Sequence, residues 1–526
     1  MLAHILAVAS LLALSAAHDY PEIDQYTSND CSGDPISVDI PDDQATADIT
    51  LDTNSQSLFL ANATWAGFSD ASADDECAGD STALDTGCID LTQIYTASGS
   101  SVFCVQSTSV IKIAVIGGGL AGATIANALL RHAHLEVHVY ESAPEFSERG
   151  AAIGLPGGAQ RALQQVVGVS EASAMLQRAG AVLQESTRTC IGSGTHAGAI
   201  ILDLGSNTET GTRVVHRASL LRELLAPLPA EQLHAGKALS EITATANGDI
   251  QVTFSDGQKE TFHATADADA PSPAGFWDCR NVVPFDKAKE ALGAQYFETD
   301  RQYGWAGNGA FIMHDVLDNR TNVQSVISAI EKDPPKDRKR PLTREFLEET
   351  LHEWLDGPIG KGMIDVRLHL PSYLDLEKPT NLANQLILDQ PEPQAYSQWE
   401  HKSTRTFSNG RVCIVGDAAH ASTPWQGAGT GQAFEDAMIL GTLLGETKVS
   451  SELARAFQAY DAVRRDRCQR VIDSSRGTGL IFCGQDPDAG LDPEKIMGLL
   501  APRWGFIAGI DLAAYKEEAL EKIKAL

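Results

Sequence analysis

Residues 111–141 contain the sequence Ile111-Lys-Ile-Ala-Val-Ile-Gly-Gly-Gly-Leu-Ala-Gly122 and, after a helical segment, Glu136-Val-His-Val-Tyr-Glu141. The first six residues form a short block that is mostly apolar and β-branched, which predicts a buried parallel strand. Gly117, Gly119 and Gly122 match G-x-G-x-x-G, in which glycines permit a tight turn, close approach of a pyrophosphate and close helix packing. Glu141 ends the second predicted strand, where a carboxylate accepts hydrogen bonds from an adenosine ribose. The pattern predicts dinucleotide binding and leaves NAD and FAD open. A glycine-rich turn that binds nothing is the alternative.

The charge is distributed unevenly along the 526 residues. All 40 Lys and Arg residues lie from Lys112 onward, whereas 17 of the 70 Asp and Glu residues precede it. The formal net charge of −30 argues against nucleic acid or an anionic membrane surface as a partner. The length suffices for two or three domains, each with its own core.

The N-terminal part predicts a secreted module. Residues 1–17 form an apolar run that is too short to span a bilayer and ends in small residues, so we expect a signal peptide cleaved after Ala17. Residues 18–108 predict a small disulfide-linked domain with a glycosylation sequon at Asn62. Its four cysteines are Cys31, Cys77, Cys88 and Cys104. They could form two disulfides in three alternative pairings. No C-x-x-C pair occurs among the five later cysteines, which favours buried free thiols over zinc ligands. We expect no membrane span.

Further motifs follow the dinucleotide pattern. The next segments are Gly150-Ala-Ala-Ile-Gly154 and His216-Arg217, and Ile250 to Gly257 predicts a hairpin strand with its turn. The pattern is rich in strands from residue 276 to about 327 and helical from residue 344 to 355. A buried strand then precedes Gly416-Asp-Ala-Ala-His420, and the glycines after Pro424 open a helix to about Leu444, with further helices from Leu453.

Taken together, these motifs make residues 111–526 similar to the class A FAD-dependent aromatic monooxygenases, and above all to fungal salicylate hydroxylase-like enzymes. The resemblance implies an α/β fold, in which a Rossmann-like FAD-binding domain contains an inserted β-sheet substrate domain of the para-hydroxybenzoate hydroxylase type. The FAD-binding parts would cover about 109–275 and 400–450, the substrate domain about 276–399, and a helical section 451–526. The small disulfide-linked domain at the N-terminus lies outside the resemblance.

The resemblance also implies which residues bind the cofactor. Glu141 would bind the FAD ribose, Arg217 would reach the flavin or pyrophosphate side, and Asp417 would hold the ribityl chain, with a helix N-cap as its alternative role. The backbone from Gly427 to Thr430 would lie beside the isoalloxazine, at a helix N-terminus that stabilises negative charge. The complete set of candidates is Gly117, Gly119, Gly122, Glu141, Arg149, Gly154, Arg217, Asp417, Gly427, Gly429 and Thr430. His420 is either part of the site or structural.

The reaction implied by the resemblance needs no protein nucleophile. NADH or NADPH reduces FAD, O2 adds to give a flavin hydroperoxide, and this electrophile hydroxylates a phenolic or aromatic acid such as salicylate. A base with a pKa of about 7 would suit deprotonation of the phenol. His314 is the catalytic candidate, with a hydrogen-bonded structural histidine as the alternative. Arg280 could pair with a substrate carboxylate, or form a structural ion pair. We expect a small aromatic substrate and O2 as partners, and no metal.

Two departures from the family pattern bear on function. A strand ending in Gly-Ala-Asp-Gly is expected before Gly275, but only Ala264-Thr-Ala-Asp-Ala-Asp269 is present, so the motif is missing and its neighbours would be left uncovered. Residues 366–385 look inserted, as a translated intron would be, and a genuine surface loop is the alternative. A secretory leader on an NAD(P)H-dependent body also gives contradictory locations, which a fused gene model would explain. Alternative functions are another FAD-dependent hydroxylase or epoxidase, a catalytically impaired flavin-fold protein, or a secreted binding module.

Overall fold

The structure, a computed structural model, describes residues 111–526 except 148–151, 185, 206–210, 245–249, 262–270, 300, 318–319, 365–385 and 448–449. Before residue 111 it describes 10–15, 22–26, 28, 36–38, 46–51, 57–61, 64–71, 77–84, 87–91 and 104–108. Arg149, the missing Asp-Gly segment, the insert 366–385, the sequon, the cleavage site and the disulfide pairing therefore lie outside the described residues and side chains.

The described strands and helices follow in chain order. The strands before residue 111 are β1 (Ser10–Ser15), β2 (Glu22–Tyr26), β3 (Ile36–Val38), β4 (Thr46–Thr50), β5 (Ser57–Ala61), β6 (Thr64–Ala71), β7 (Cys77–Leu84), β8 (Gly87–Asp90) and β9 (Cys104–Thr108). The later strands are β10 (Ile111–Ile116), β11 (Leu135–Tyr140), β12 (Ala152–Leu155), β13 (Val182–Leu183), β14 (Ser186–Ile191), β15 (Ile200–Gly205), β16 (Arg213–His216), β17 (Leu233–His234), β18 (Leu239–Ala244), β19 (Ile250–Phe254), β20 (Lys259–Thr261), β21 (Ser272–Pro284), β22 (Arg301–Gly307), β23 (Ala310–Leu317), β24 (Asn322–Ile330), β25 (Lys339–Pro341), β26 (Gln394–Glu400), β27 (Ser408–Asn409) and β28 (Val412–Val415). The helices are α1 (Leu120–Leu129), α2 (Gly157–Val167), α3 (Val169–Arg178), α4 (Arg217–Leu225), α5 (Phe285–Leu292), α6 (Arg344–Thr350), α7 (Gly360–Ile364), α8 (Asp417–His420), α9 (Gly429–Glu446), α10 (Leu453–Phe482), α11 (Pro493–Ala508) and α12 (Leu512–Ala525).

The predicted strand–turn–helix–strand unit is present. β10 and β11 are parallel, in a register from Ile111↔Leu135 to Ile116↔Tyr140, and α1 connects them. Gly117 adopts a φ of +110°, which favours glycine. A Cβ on Gly122 would lie only 2.0 Å from the carbonyl oxygen of Gly117. The helix can therefore follow the turn this closely only because position 122 has no side chain.

A strand from the N-terminus lies in the middle of the sheet that contains this unit. The strand order is β17-β11-β10-β1-β28-β27, and β1 runs antiparallel to both neighbours, with Leu12 opposite Val115 and Cys413. The sequence predicted uncovered neighbours where the Asp-Gly strand is missing. The structure differs here, because β1 pairs with the backbone groups of β10 and β28 that would otherwise be buried without partners. Cleavage after Ala17 would remove this strand.

An eight-stranded sheet forms the predicted substrate part, in the order β15-β14-β22-β23-β24-β21-β26-β25. One face packs on a core with Trp277, Trp305 and Trp354, each at most 2% exposed. β14 pairs in parallel with β22, so the sheet also draws on residues 186–205, which the sequence analysis assigned to the cofactor part. Sequence separation hides this pairing, since β14 and β22 lie more than a hundred residues apart.

Most predicted elements after residue 111 are confirmed. The hairpin at Gly257, the strand before Gly416 and the helix after Pro424 occur as β19–β20, β28 and α9. α5, inside the stretch read as strands, was not predicted. The five later cysteines are confirmed as buried free thiols: Cys190, Cys279, Cys413, Cys468 and Cys483.

The described strands before residue 111 that lie outside the central sheet form two four-stranded antiparallel sheets, β3-β2-β5-β8 and β4-β9-β6-β7. No single described helix is long and apolar enough to cross a membrane, although the bent pair α11 and α12 meets the length and composition criteria together.

A proline at Leu12 tests the role of β1. Leu12→Pro removes one backbone donor from a strand paired on both sides, and we expect it to lower the free energy of unfolding by about 1–3 kcal/mol. Leu12→Ala, which keeps the backbone donor, is the control. Urea unfolding and the intact mass of the purified chain are measured together. A mature chain that begins at His18 would show that β1 is not part of the sheet.

Candidate functional site

The glycine loop and Glu141 meet as the sequence predicted. The Glu141 side chain is 9% exposed, and its Oε2 accepts a hydrogen bond of 2.9 Å from the Gly118 amide. Its Oε1 accepts from the Ala143 amide at 2.8 Å and from the Ser142 hydroxyl at 3.0 Å. The carboxylate therefore stands beside the turn that would receive a pyrophosphate, in a position to accept hydrogen bonds from the adjoining ribose.

Two helix N-termini at this end of the sheet are open. α1 begins after Gly119 and α9 after Ala428, and neither has a side-chain cap or an acidic residue in its first turn. The first amides of a helix lack partners within the helix, and its N-terminus carries partial positive charge. A Cβ placed on Gly427 or Gly429 would meet nothing within 4 Å. Both helix ends can therefore receive an anionic or electron-rich group.

Close contacts bring the remaining candidates together. A Cβ on Gly416 would lie 2.8 Å from the Cβ of Ala121 in α1, and one on Gly431 would lie 3.2 Å from the Cβ of Ala159 in α2. β12 pairs with β16 in the register Gly154↔Val214, which places Gly154 near the start of α4 at Arg217. The cofactor candidates among the described residues thus cluster at one end of the parallel strands.

Asp417 is not a helix N-cap. The N-cap position of α8 is Gly416, with φ +56°, and Asp417 follows as the first helical residue with an exposed side chain. The turn therefore projects a carboxylate from the end of a buried strand. With Glu141, the two open helix ends and the room at Gly427 and Gly429, these residues fit FAD, which needs donors for phosphate and acceptors for its ribose and ribityl hydroxyls.

Behind this turn lies a buried carboxylate that the sequence analysis missed. Asp436, in α9, accepts hydrogen bonds from the Gly416 amide at 2.9 Å, from His420 Nε2 at 2.6 Å and from Arg464 Nε at 2.7 Å. Burial alone would raise the pKa of Asp436, but the His420 and Arg464 charges outweigh it and hold the pKa at about 2. Burial alone would lower the pKa of His420, and Asp436 instead raises it well above its ordinary value. The charged pair fixes the turn and assigns His420 to its support.

Arg464, in α10, connects this pair to the C-terminal helices. Its guanidinium is fully buried and also donates to Glu435 Oε2 at 2.5 Å, while Glu435 accepts two hydrogen bonds from Arg467. Tyr515 of α12 lies 3.3 Å from the same guanidinium. The ligand-type atoms of His420, Asp436 and Cys468 lie within 4.8 Å of one another. A metal ion there would have to displace hydrogen bonds and face Arg464, so we interpret the group as an ion network.

The large sheet turns a polar face toward the cofactor end. The Phe311 ring lies 5.8 Å from that of Trp425, in the loop before α9, and Leu317 packs with Ala152 and Val214 of the neighbouring strands. Between these contacts the same face carries Asp315, and Gln324 lies directly opposite on β24. Apolar contacts and buried polar side chains thus alternate along this face of β23.

The structure does not favour His314 as the base. The ring lies on the opposite face of β23, within the tryptophan core, where it stacks on Tyr303 at 5.1 Å and lies 5.4 Å from Phe297. Burial lowers the pKa of His314 to about 3, far from the value of about 7 that the reaction would favour. Strand alternation turned this side chain away from the cofactor.

Arg280 forms the structural ion pair that was the alternative to substrate binding. Its guanidinium lies 3.6 Å from the Asp278 carboxylate on the same strand. Burial raises the pKa of Asp278, and the Arg280 charge offsets part of that rise. Asp278 also accepts a hydrogen bond from Gln398 Nε2 at 3.4 Å. The guanidinium is thus engaged by a neighbouring carboxylate.

Replacing Asp436 tests the ion network. Asp436→Asn leaves Arg464 and His420 without their shared anion, and we expect the free energy of unfolding at pH 7 to fall by about 3 kcal/mol. Asp466→Asn, at a carboxylate that is 94% exposed in α10, is the control and should change it by less than about 0.5 kcal/mol. Because the native pKa of Asp436 is lowered, to about 2, the wild type should lose this contribution as the pH falls from about 4 to about 2. Equal urea midpoints for the two variants would contradict the assignment.

Comparison with known proteins agrees with this geometry. A family model described as an FAD binding domain matches residues 379–475. The 6-methylsalicylate 1-monooxygenase atA of Aspergillus terreus is 30% identical over 441 residues, which cover 78% of this chain and 92% of that protein. A salicylate hydroxylase of Pseudomonas putida is 27% identical over 436 residues, which cover 78% and 95%.

Solved structures share the fold. A salicylate hydroxylase substrate complex gives a TM-score of 0.60 at 22% identity and covers 77% of this chain and 97% of that chain. HpxO of Klebsiella pneumoniae, complexed with FAD and uric acid, gives 0.54 at 19% identity over 78% and 96%. With a relative that is 30% identical along nearly its whole length, the chain belongs to the FAD-dependent aromatic monooxygenases.

Proposed function

We propose that this enzyme hydroxylates a phenolic acid of the salicylate class with NADH or NADPH and O2. The relatives named for 6-methylsalicylate and salicylate support this substrate class. The observation that carries it is the large sheet's face toward the cofactor end, which bears the buried Asp315 carboxylate with its amide neighbours and, further along the same strand, an aromatic cluster with Phe311 and Trp425. An aromatic ring with polar substituents matches a surface that has both apolar and hydrogen-bonding side chains.

The chemistry that bound FAD supplies is hydride uptake from NADH or NADPH and transfer of one oxygen atom of O2 to the ring, with the other atom leaving as water. The chain's own residues hold and orient the cofactor. Glu141 accepts hydrogen bonds from the ribose, and Asp417 accepts them from the ribityl chain. The open N-terminus of α9 places unpaired amides and partial positive charge next to the electron-rich ring system. The apolar cluster with Phe311 and Trp425 excludes water from the cofactor-end face of the large sheet.

The substrate class is tested with the full chain loaded with FAD. We expect salicylate to stimulate NADH or NADPH oxidation more than benzoate, which lacks the hydroxyl, or phenol, which lacks the carboxylate. With ¹⁸O2, the product should gain one labelled oxygen atom, detected by mass spectrometry. An FAD-loaded protein that is stimulated only by larger aromatic compounds would favour another hydroxylase of the same family. A protein that stays colourless with added FAD would indicate an impaired enzyme.

Glu141 provides a test of the cofactor site. Glu141→Gln keeps the shape of the side chain but replaces charge-assisted hydrogen bonds to the ribose with neutral ones, so we expect the FAD dissociation constant to rise about tenfold or more. Glu145→Gln is the matched control, since Glu145 is exposed a few residues further along. Titration of the apoprotein with FAD, followed by flavin fluorescence, measures both constants. Equal constants for the two variants would remove Glu141 from the site.

We also propose that the chain acts where NADH or NADPH is available. The central position of β1 supports retention of the N-terminal residues, whereas the secretory leader predicts their removal. A mature chain cannot both retain the residues of β1 and lose them by cleavage. Fractionation of the source cells, with detection of peptides from residues 1–17, separates them.

A further inference from the structure

β23 carries two titratable side chains side by side, and only one of them faces the cofactor end. Ile312 and Ala310 share the face of His314 in the tryptophan core. Phe311 and Leu317 share the other face with Asp315, since successive strand residues alternate. Phe311 contacts Trp425 of the cofactor loop, and Leu317 contacts Ala152 and Val214. Asp315 therefore lies on β23 between two residues that pack against the cofactor end.

Amide side chains from three different parts of the chain surround the Asp315 carboxylate. The side chain is 3% exposed, and its Oδ1 accepts a hydrogen bond of 2.9 Å from Gln184 Nε2, just after β13. Gln324 of β24 lies directly opposite Asp315, and Gln302 of β22 precedes the residue opposite His314, so both amides can donate to the carboxylate and lower its pKa. A carboxylate can only accept. Each amide must therefore turn its NH2 group toward Asp315 and its carbonyl oxygen away.

One of these carbonyl oxygens lacks a partner. Gln324 is 4% exposed, and its Oε1 is buried without a hydrogen bond to any described residue. Gln302 is half-buried on the same face. A buried acceptor without a donor is costly, and such a group in a native protein calls for an explanation. A ligand hydroxyl that lies against this face would supply the donor.

Among the described residues, Asp315 has no charged partner that would fix its ionisation. Arg213 is next to Val214 on β16, so its side chain lies on the other face of that strand. Asp278 and Arg280 lie on β21, and β24 separates that strand from β23. That spacing is about 10 Å. Burial raises the pKa of Asp315 to about 6, and the amide hydrogen bonds offset only part of the rise. The group is a carboxylate above this pH and a carboxyl below it.

We propose that Asp315 is a positioning residue that orients the Gln302 and Gln324 amides so that their carbonyl oxygens accept the hydroxyl hydrogen of a phenolic acid. This rests on the proposed function. The phenol keeps its proton and its electron pair in this contact, and the hydrogen bond fixes the ring against this face of the sheet. Protonated Asp315 can donate to an amide carbonyl, and that amide then reverses and presents NH2 to the substrate, which weakens binding of the hydroxyl.

The binding experiment compares salicylate with benzoate, which differs by that hydroxyl. Dissociation constants are measured on the FAD-loaded full chain from the change in flavin absorbance. We expect the wild type to bind salicylate about tenfold more tightly than benzoate, as for one buried hydrogen bond. In Asp315→Asn the NH2 group of asparagine can donate, the amides lose their fixed orientation, and the preference should fall toward one. Gln324→Met, which removes the orphan acceptor, should act in the same direction.

Thermal stability and the pH dependence of binding distinguish the proposed positioning role of Asp315 from a purely structural role. Asp315→Asn removes a buried carboxylate with a raised pKa, so its Tm at pH 8 should equal or exceed that of the wild type. In the wild type the preference for salicylate should decline as the pH falls through about 6, and the variant should show no such inflection. Asp203→Asn, at an exposed carboxylate of the same sheet that pairs with Arg188, should keep both the preference and the inflection.

Two results would overturn the inference. A wild type that prefers salicylate while Asp315→Asn keeps the full preference leaves the proposed function intact and removes Asp315 from this role. A lowered Tm at pH 8 with an unchanged preference has the same meaning and assigns Asp315 to the fold. If the FAD-loaded wild type binds neither phenolic acid, the proposed function fails, and the inference fails with it.

Discussion

The contact between the Asp436 carboxylate and the Gly416 amide is the constraint on which the cofactor end depends. Gly416 adopts a positive φ at the end of a buried strand and lies against α1, so the turn has little freedom. The carboxylate that holds it is buried, and burial of a charge is unfavourable unless cations surround it. His420 and Arg464 meet that need from the turn itself and from α10. The turn, α9 and the C-terminal helices are therefore one electrostatic unit.

The substrate side follows a different rule. One face of its sheet is filled by large aromatic side chains, and the face directed at the cofactor end carries the apolar cluster around Phe311 together with the buried polar groups around Asp315. The buried Asp315 carboxylate is tolerated there because it accepts a hydrogen bond from Gln184, whereas the Oε1 atom of Gln324 has no partner among the described residues. Strand alternation decides which residues belong to each face. His314 and Asp315 are neighbours in sequence and have opposite surroundings for this reason alone.

The N-terminal residues show that the inner strands of this sheet need a hydrogen-bonding partner on both sides. Both β10 and β28 are buried, and each has backbone groups on the side where the expected strand is missing. In the structure β1 occupies that place in antiparallel orientation. A segment read as a leader by its apolar composition also meets the requirements of a central strand, because the same composition suits a membrane-directed helix and a fully buried strand.

The sequence by itself determined the local units with strong signatures: the β10–α1–β11 turn, Glu141, the strand before Gly416 and the helix after Pro424. Glycine spacing and hydrophobic blocks are local properties, so they can be read without knowledge of the rest. It also indicated the family through the order of those motifs. The tertiary structure decided the pairing of β14 with β22, the place of β1, the face on which His314 lies and the partners of Asp436 and Asp315. These depend on residues far apart in sequence and on which side of a strand meets the core, and neither follows from a local pattern.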